Sequence, residues 1–375
     1  MKTLGLLRLA AGVSSFDRVV TPALLLSMAG DLEVSLAVMS SAATLYFVLY
    51  ATLQPVWAVI SDYVGRLAVI RSALLAASVA GLVCVLAQSV EVVIAARAVS
   101  GGLFAAVVPA ALVWIGESLG AVDRKVALAL LMGATYTGTL AASLVGATAA
   151  QFDLWRVGVA VPAAAALLVA LALLRVSSSP AVERQPFGPA VRYCLRRPQA
   201  LLIIGLAFVE GGVVHGTLTY WPAALEHVGA GPALAGLSVA CFGLGVILGS
   251  RWVGVTTQSR HRIMMAGGAT IAVALAITGA TQTLGIGLML GLAAVLGVGF
   301  SALHSSLQGV ATEVAPRARS VVIALFAAAL FTGGAAGTAL ASSSASAGNF
   351  DLIFVVAALI TIPLTLACLA TRQAQ

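Results

Sequence analysis

The chain is a succession of long apolar runs separated by short polar breaks. The runs cover residues 4–28, 36–59, 67–88, 91–115, 126–150, 157–175, 200–223, 233–253, 262–281, 284–309, 319–341 and 350–371. Within each run apolar residues recur on every side of a helix rather than along one stripe, the pattern of a helix surrounded by lipid and other apolar helices. A bilayer crossing needs about 20 such residues. The pattern therefore predicts an all-α membrane protein of about twelve transmembrane helices, with no room for a soluble domain.

The polar breaks alternate in charge. Breaks after odd-numbered runs hold Asp31 and Glu33, Glu91, Asp153 and Arg156, Glu226 and His227, and Asp351, with nothing charged near Gln282. Breaks after even-numbered runs hold Arg66 and Arg71, Arg124 and Lys125, Arg175 to Arg197, Arg260 and Arg262, Arg317 and Arg319, and Arg372. Among the basic residues, only Arg156 falls in the first set. The positive-inside rule then places both termini in the cytoplasm, which requires an even number of crossings. The longest break, residues 176–199, combines Ser177, Ser178, Ser179, Pro180, Pro186 and Pro189 with Arg192, Arg196 and Arg197. Ser and Pro favour an extended linker, so the chain divides into a six-helix bundle over 1–175, a cytoplasmic linker over 176–199 and a second six-helix bundle over 200–375.

Composition excludes a water-soluble fold: 61% of residues are hydrophobic and 9% charged, and the mean hydropathy is +1.08. Ordinary soluble proteins carry about 25% charged residues. The net charge of +7 sits in the short breaks and sets topology, so it does not point to nucleic acid. Cys84, Cys194, Cys241 and Cys368 are widely spaced and suggest neither a disulfide framework nor a metal site. Lys2 and Arg8 precede apolar residues, but Asp17 and Arg18 interrupt the first run, which reads as a retained helix and not a signal peptide. The preference for Arg over Lys and the richness in Ala and Gly suggest a GC-rich bacterial genome, and hence the inner (plasma) membrane.

Ionisable residues inside the runs carry the candidate chemistry, because a charge in hydrocarbon is costly unless it has a task. FDRVVTPALL (16–25) places Asp17 and Arg18 near mid-membrane, about 100° apart around the helix axis, so they need not pair with each other. A mid-membrane carboxylate can carry a proton or hold the bundle in an ion pair. Arg97 opens RAVSGGLFAA (97–106) in the fourth run, and Glu210 lies in the seventh beside Gly211 and Gly212, with His215 beyond. His304 and Gln308 share a helix face in HSSLQGVATEVAPRARS (304–320). Tyr46, Tyr50 and Gln54 form a stripe suited to a cavity wall or to helix packing. Gly212 and Gly216, Gly245 and Gly249, and Gly333 and Gly337 have the small-xxx-small spacing of close helix packing. No HExxH, GxSxG, phosphate-binding loop or metal cluster is present, so no enzyme and no cofactor is expected.

Between the second and third runs lies SDYVGRLAVIR (61–71), with Asp62, Gly65, Arg66 and Arg71. This segment resembles the signature loop of the major facilitator superfamily, though Ala58 and Tyr63 depart from its usual residues. Arg97 with Gly101 resembles the fourth-helix motif of the same superfamily. The fifth run lacks the proline usual in that superfamily's antiporters. The resemblance implies two six-helix bundles built from three-helix repeats, a central cavity, and a loop that latches the bundles. It implies a secondary transporter, similar to small bacterial drug:proton antiporters, that moves small amphipathic molecules outward in exchange for H+. Asp17, Arg18, Arg97 and Glu210 would then couple to protons, and Tyr46, Tyr50, Gln54, His215, His304 and Gln308 would line the cavity. A same-fold alternative imports or facilitates a metabolite or organic anion through Arg18 and Arg97. A different class, a non-transporting membrane sensor, lacks a signalling domain. The expected partners are a small-molecule substrate, the coupling H+ and the lipid bilayer, with no nucleic acid, and the chain is expected to act as a monomer.

Overall fold

The computed structural model describes residues 2–119, 121–176, 187–280, 285–315 and 319–369. Every regular element among them is a helix. The chain separates into two compact units, Met1–Gln185 and Pro186–Gln375. The first contains α1 (Lys2–Asp31), α2 (Leu36–Val64), α3 (Arg66–Leu86), α4 (Val90–Phe104), α5 (Val107–Ser118), α6 (Ala121–Gln151) and α7 (Trp155–Leu173). The second contains α8 (Phe187–Leu195), α9 (Pro198–His227), α10 (Pro232–Val255), α11 (Arg260–Ala280), α12 (Ile286–Val314), α13 (Arg319–Ser346) and α14 (Phe350–Ala367).

Eleven helical segments among the described residues are long and apolar enough to cross a bilayer. α6, 31 residues long, exceeds the roughly 20 a crossing needs. The fourth crossing runs from Val90 to Ser118 and is broken at Ala105–Ala106 into α4 and α5, where the sequence pattern predicts one uninterrupted helix. A second difference falls in the segment expected to be extended. Residues Phe187–Leu195 form a helix, because Pro189 sits in its first turn, where a missing amide costs nothing. Residues 177–186 lie outside the described set.

Both units use one pairing scheme. Taking α4 and α5 as one crossing, unit 1 packs its first crossing on its fifth (α1 on α6), its second on its fourth (α2 on α4) and its third on its sixth (α3 on α7). Unit 2 repeats this as α9 on α13, α10 on α12 and α11 on α14. The scheme survives a shift of three crossings within each unit: α3 on α4 matches α7 on α1, and α11 on α12 matches α14 on α9. Since successive crossings alternate in direction, a shift of three inverts the element, so each unit is an inverted pair of three-helix repeats.

Helix ends carry the same signature. α1, α6, α9 and α13 each continue into a residue of positive φ two positions past the end: Glu33 (53°), Asp153 (53°), Gly229 (94°) and Gly348 (73°). In each case the next amide reaches back to a carbonyl of the last turn: Val34 to Ala29, Leu154 to Ala149, Ala230 to Leu225 and Asn349 to Ser344. This is the Schellman arrangement, which satisfies carbonyls that the helix leaves without donors. Ser27 Oγ bonds Asp153 Oδ1 at 3.4 Å between the ends of α1 and α6, and a Cβ on Gly348 past α13 would stand 3.0 Å from the His227 ring at the end of α9. Arg156 Nη1 bonds Asp31 Oδ2 at 2.6 Å and its Nη2 bonds the Ala87 carbonyl at 3.1 Å. The one basic residue on the acidic set of breaks is thus paired with an acid there.

Close approach in unit 2 rests on glycine. A Cβ on Gly211 would collide with the Leu330 backbone, one on Gly333 with Phe208 and one on Gly337 with Gly212. The 212/216 and 333/337 glycines therefore face each other across the α9–α13 seam, with backbone against backbone, as helices in lipid favour. Gly205 on the same α9 has open space where a Cβ would stand. Gly211→Ala is expected to lower stability in detergent by about 1–3 kcal/mol through overpacking. Gly205→Ala is expected to be neutral or to raise it by up to about 1 kcal/mol; thermal unfolding of the two variants side by side checks this.

Candidate functional site

In unit 1, α2 and α4 touch backbone to side chain around two glycines. A Cβ on Gly101 would stand 2.5 Å from the Tyr46 carbonyl, and one on Gly102 would stand 2.6 Å from Leu53 Cδ1. Trp57 Nε1 donates to the Gly102 carbonyl at 2.6 Å across the same seam. One turn before Gly101, Arg97 is carried inward on this face of α4. Its Nη1 meets Asp17 Oδ1 at 2.8 Å and its Nη2 meets the Asp17 carbonyl at 2.7 Å. The guanidinium carbon lies 5.0 Å from the centre of the Tyr46 ring. Pro22 removes the amide that would bond the carbonyl four residues earlier, which loosens this turn of α1. Arg97 adds a donor from the neighbouring helix to the Asp17 carbonyl, one residue before the Arg18 carbonyl to which Pro22 cannot donate.

The pair is sealed. The Arg97 side chain is 0% exposed and that of Asp17 3%. Asp17 Oδ2, Arg97 Nε and the Tyr46 hydroxyl find no hydrogen-bond partner among the described residues. Two opposite charges at bonding distance in a medium of low dielectric attract strongly but pay heavy desolvation, so removing either one leaves an uncompensated buried charge. Arg18 points elsewhere. Its Nη1 donates to the Tyr50 hydroxyl at 3.3 Å and its Nη2 to Ser15 Oγ at 3.5 Å. Tyr46 and Tyr50 stack at 6.1 Å, and both are buried, as is Gln54. Tyr46 packs against Arg97 and Tyr50 against Arg18.

In unit 2, Glu210 on α9 is completely buried and its Oε2 lies 3.2 Å from His304 Nδ1 on α12. Glu210 Oε1 has no hydrogen-bond partner among the described residues. Phe300 stacks on the His304 ring at 4.9 Å and Phe326 lies 5.3 Å away, which fixes the imidazole orientation. His215 stands edge-on to Phe300 at 5.7 Å. Gln308, one turn beyond His304, is exposed. His304 turns to the Glu210 carboxylate.

At the α2–α3 connection, Gly65 adopts φ 97°, a conformation glycine accepts without Cβ strain. This turn brings Arg66 back onto the end of α2, where Nη1 bonds Ser61 Oγ at 2.5 Å, while Nη2 bonds Glu117 at the end of α5 at 3.0 Å. The Asp62 side chain lies outside the described residues, and Arg71 is half-buried on α3. Glu117 was not singled out from sequence, because an acid near a helix end looks like an ordinary solvated group. Unit 2 repeats the arrangement: Arg260 at the start of α11 grips Glu313 at the end of α12 with two bonds of 2.7 Å.

The sequence model of the Major Facilitator Superfamily matches residues 7–227 and 207–374, nearly the whole chain. The chain belongs to this superfamily. Among solved structures, a mutant of the nucleoside transporter NupG superposes with a TM-score of 0.79 at 12% identity, over 97% of this chain and 99% of that one. A bacterial homologue of the human lysosomal transporter Spinster, inward-facing and unoccupied, gives 0.76 at 17% identity, over 99% and 96%. An auto-inhibited peptide transporter of the POT family gives 0.78 at 14% identity, over 99% and 97%. At such identities the likeness establishes the fold and leaves the substrate open. No curated protein matches in sequence. As a member of this superfamily the chain is a membrane transporter for a small molecule.

The buried pair of this superfamily member yields a direct test. Asp17→Ala should destabilise by about 3–5 kcal/mol, since it strands the Arg97 charge. Asp17→Ala combined with Arg97→Leu should recover a large part of that loss. Denaturant unfolding of the two single variants and the double variant in detergent measures the coupling, and strictly additive losses would contradict the pairing.

Proposed function

We propose that the protein is a proton-coupled secondary transporter that exports small amphipathic molecules by alternating access across a bacterial inner membrane, with both termini cytoplasmic. The observation that carries the reading is Glu210: fully buried in a span, with one carboxylate oxygen against His304 and the other without a hydrogen-bond partner among the described residues. A carboxylate held this way has two stable forms. Ionised, it needs a protonated His304 as counter-charge; protonated, it is neutral and tolerates the apolar interior. Uptake of one proton from outside by the ionised pair gives neutral Glu210 beside protonated His304 and raises the charge of unit 2 by one without moving a helix, which is what coupling to an ion gradient requires.

Asp17 and Arg97 act as the matching element of unit 1. Neutralising Asp17 frees Arg97 Nη1 and loosens α1 from α4, so the intact pair anchors unit 1 while the proton is exchanged at Glu210. The cytoplasmic segment 176–199 joins bundles 1–175 and 200–375, and Asp62, Gly65, Arg66 and Arg71 form the latch at the α2–α3 turn. Arg66 supports that role through its bond to Glu117, which ties the loop to the neighbouring crossing.

A second reading, transport of an organic anion, draws on a specific observation. The mid-span charges of unit 1 are Asp17, Arg18 and Arg97, two cations to one anion. Asp17 is committed to Arg97, so this unit holds a cationic substrate poorly and an anionic one better. Arg18, half-buried and bonded to the Tyr50 hydroxyl, would meet it.

The test is proton flux in proteoliposomes holding the purified protein, with cationic, neutral and anionic amphiphiles added in turn. Compound-dependent proton movement is expected, lost in Glu210→Gln and strongly reduced in Asp17→Asn. If coupled transport survives neutralisation of Asp17, Arg97 and Glu210 together, the assignment is wrong. The headgroup that drives flux separates the two readings.

A further inference from the structure

The short helix α8 combines features that the transport reading does not use. It directly precedes α9, with Arg196 and Arg197 between them, and packs against α9 and α13. It therefore lies where unit 2 meets the membrane boundary. Its apolar positions 187, 191, 194 and 195 fall on one side, and Cys194 there is buried. Positions 188, 192 and 196 and positions 189, 193 and 197 form two adjacent ridges on the other side. Residues 187–197 carry three arginines and no acid. Among the described residues, no carboxylate pairs with Arg192, Arg196 or Arg197, in contrast to Arg260, which Glu313 neutralises.

The two ridges enclose a cleft. Gly188, Pro189, Arg192, Tyr193, Arg196 and Arg197 line an open cavity of about 610 Å³, within the range of small-ligand sites. The glycine and the short proline ring open its upper end. Arg197 is held in place: its guanidinium lies 4.5 Å over the Tyr193 ring and its Nη1 donates to the Val314 carbonyl at 3.3 Å. Arg192 and Arg196 are exposed and keep their donors available. Guanidinium forks match phosphate oxygens in geometry as well as charge. A basic amphipathic helix with an interfacial tyrosine at a bilayer boundary meets phosphate there as lipid headgroups.

We infer that this face of α8 binds the phosphodiester headgroup of an anionic membrane phospholipid, with Arg192 and Arg196 on the phosphate and Tyr193 and Arg197 as the fixed back wall. Bound lipid would hold α8, and with it the start of α9, at the membrane surface.

The experiment is native mass spectrometry of the full-length protein released from detergent with phosphatidylglycerol or phosphatidylcholine. Wild-type protein is expected to retain phosphatidylglycerol preferentially. Arg192→Gln with Arg196→Gln should lower that preference at least about tenfold. Arg192→Lys with Arg196→Lys should keep most of it, and Arg196→Gln alone should fall between. Both residues are exposed, so the melting temperature in phosphatidylcholine should stay unchanged in every variant. Absence of a wild-type preference, or its persistence in the double Gln variant, would overturn the inference. So would displacement of the lipid by millimolar glycerol 3-phosphate, which would identify a site for soluble phosphate.

Discussion

In a bilayer an amide or carbonyl without a partner costs several kcal/mol, because hydrocarbon offers nothing to replace the lost water. That penalty makes the helix the only way for this chain to cross, and it governs the ends of the helices as strictly as their middles. Four helices close with the same reverse-turn cap, at Glu33, Asp153, Gly229 and Gly348. Two of those positions are not glycine, so the backbone demand outweighs the modest Cβ strain of positive φ. Near Pro22, which cannot donate to the Arg18 carbonyl, Arg97 adds a donor to the adjacent Asp17 carbonyl of α1.

With backbone groups satisfied inside each helix, lipid gives helices no hydrophobic reason to associate, and packing depends on how closely they approach. The α9–α13 seam achieves this with glycines set directly against backbone, at Gly211, Gly333 and Gly337. The α2–α4 seam does the same at Gly101 and Gly102, and there the closeness has a chemical consequence. It carries Arg97 over the Tyr46 ring and into reach of Asp17. Without that approach the arginine would stand in an apolar interior with no counter-charge. The small residues and the buried ion pair are parts of one arrangement.

What could be read from sequence follows from how local the governing physics is. Crossing a bilayer is a demand on about twenty consecutive residues, so the apolar runs and the alternation of charge between their breaks were legible. The break at Ala105–Ala106 was not read, although Pro109 signals it: without an amide it cannot bond the Ala105 carbonyl four residues earlier. Helix α8 was missed because Pro189 reads as a breaker unless its place in the first turn is known. Asp17, Arg97, Glu210 and His304 stood out singly as ionisable groups in apolar runs. Their partners did not, because Arg97 and Asp17 lie 80 residues apart and His304 and Glu210 lie 94 apart. Glu117 had no signal of its own; only the turn at Gly65 brings Arg66 to it.

The two units repeat one scaffold yet hold unlike pairs, and the difference is chemical. Both fasten their third crossing to the end of their fourth by an arginine–glutamate pair at the same position, Arg66 with Glu117 and Arg260 with Glu313. A contact kept at equivalent places in both halves suits a structural task common to the scaffold. The buried pairs are not equivalent. Unit 1 sets a carboxylate against guanidinium, which stays protonated at any physiological pH, and adds a second bond to backbone, so its charge is fixed. Unit 2 sets a carboxylate against imidazole, which exists in both neutral and protonated forms, and the second carboxylate oxygen has no hydrogen-bond partner among the described residues. A fixed pair can hold a position, whereas only a pair with two accessible charge states can carry an ion. This asymmetry supports assigning the moving proton to Glu210 and His304, and the anchoring of α1 on α4 to Asp17 and Arg97.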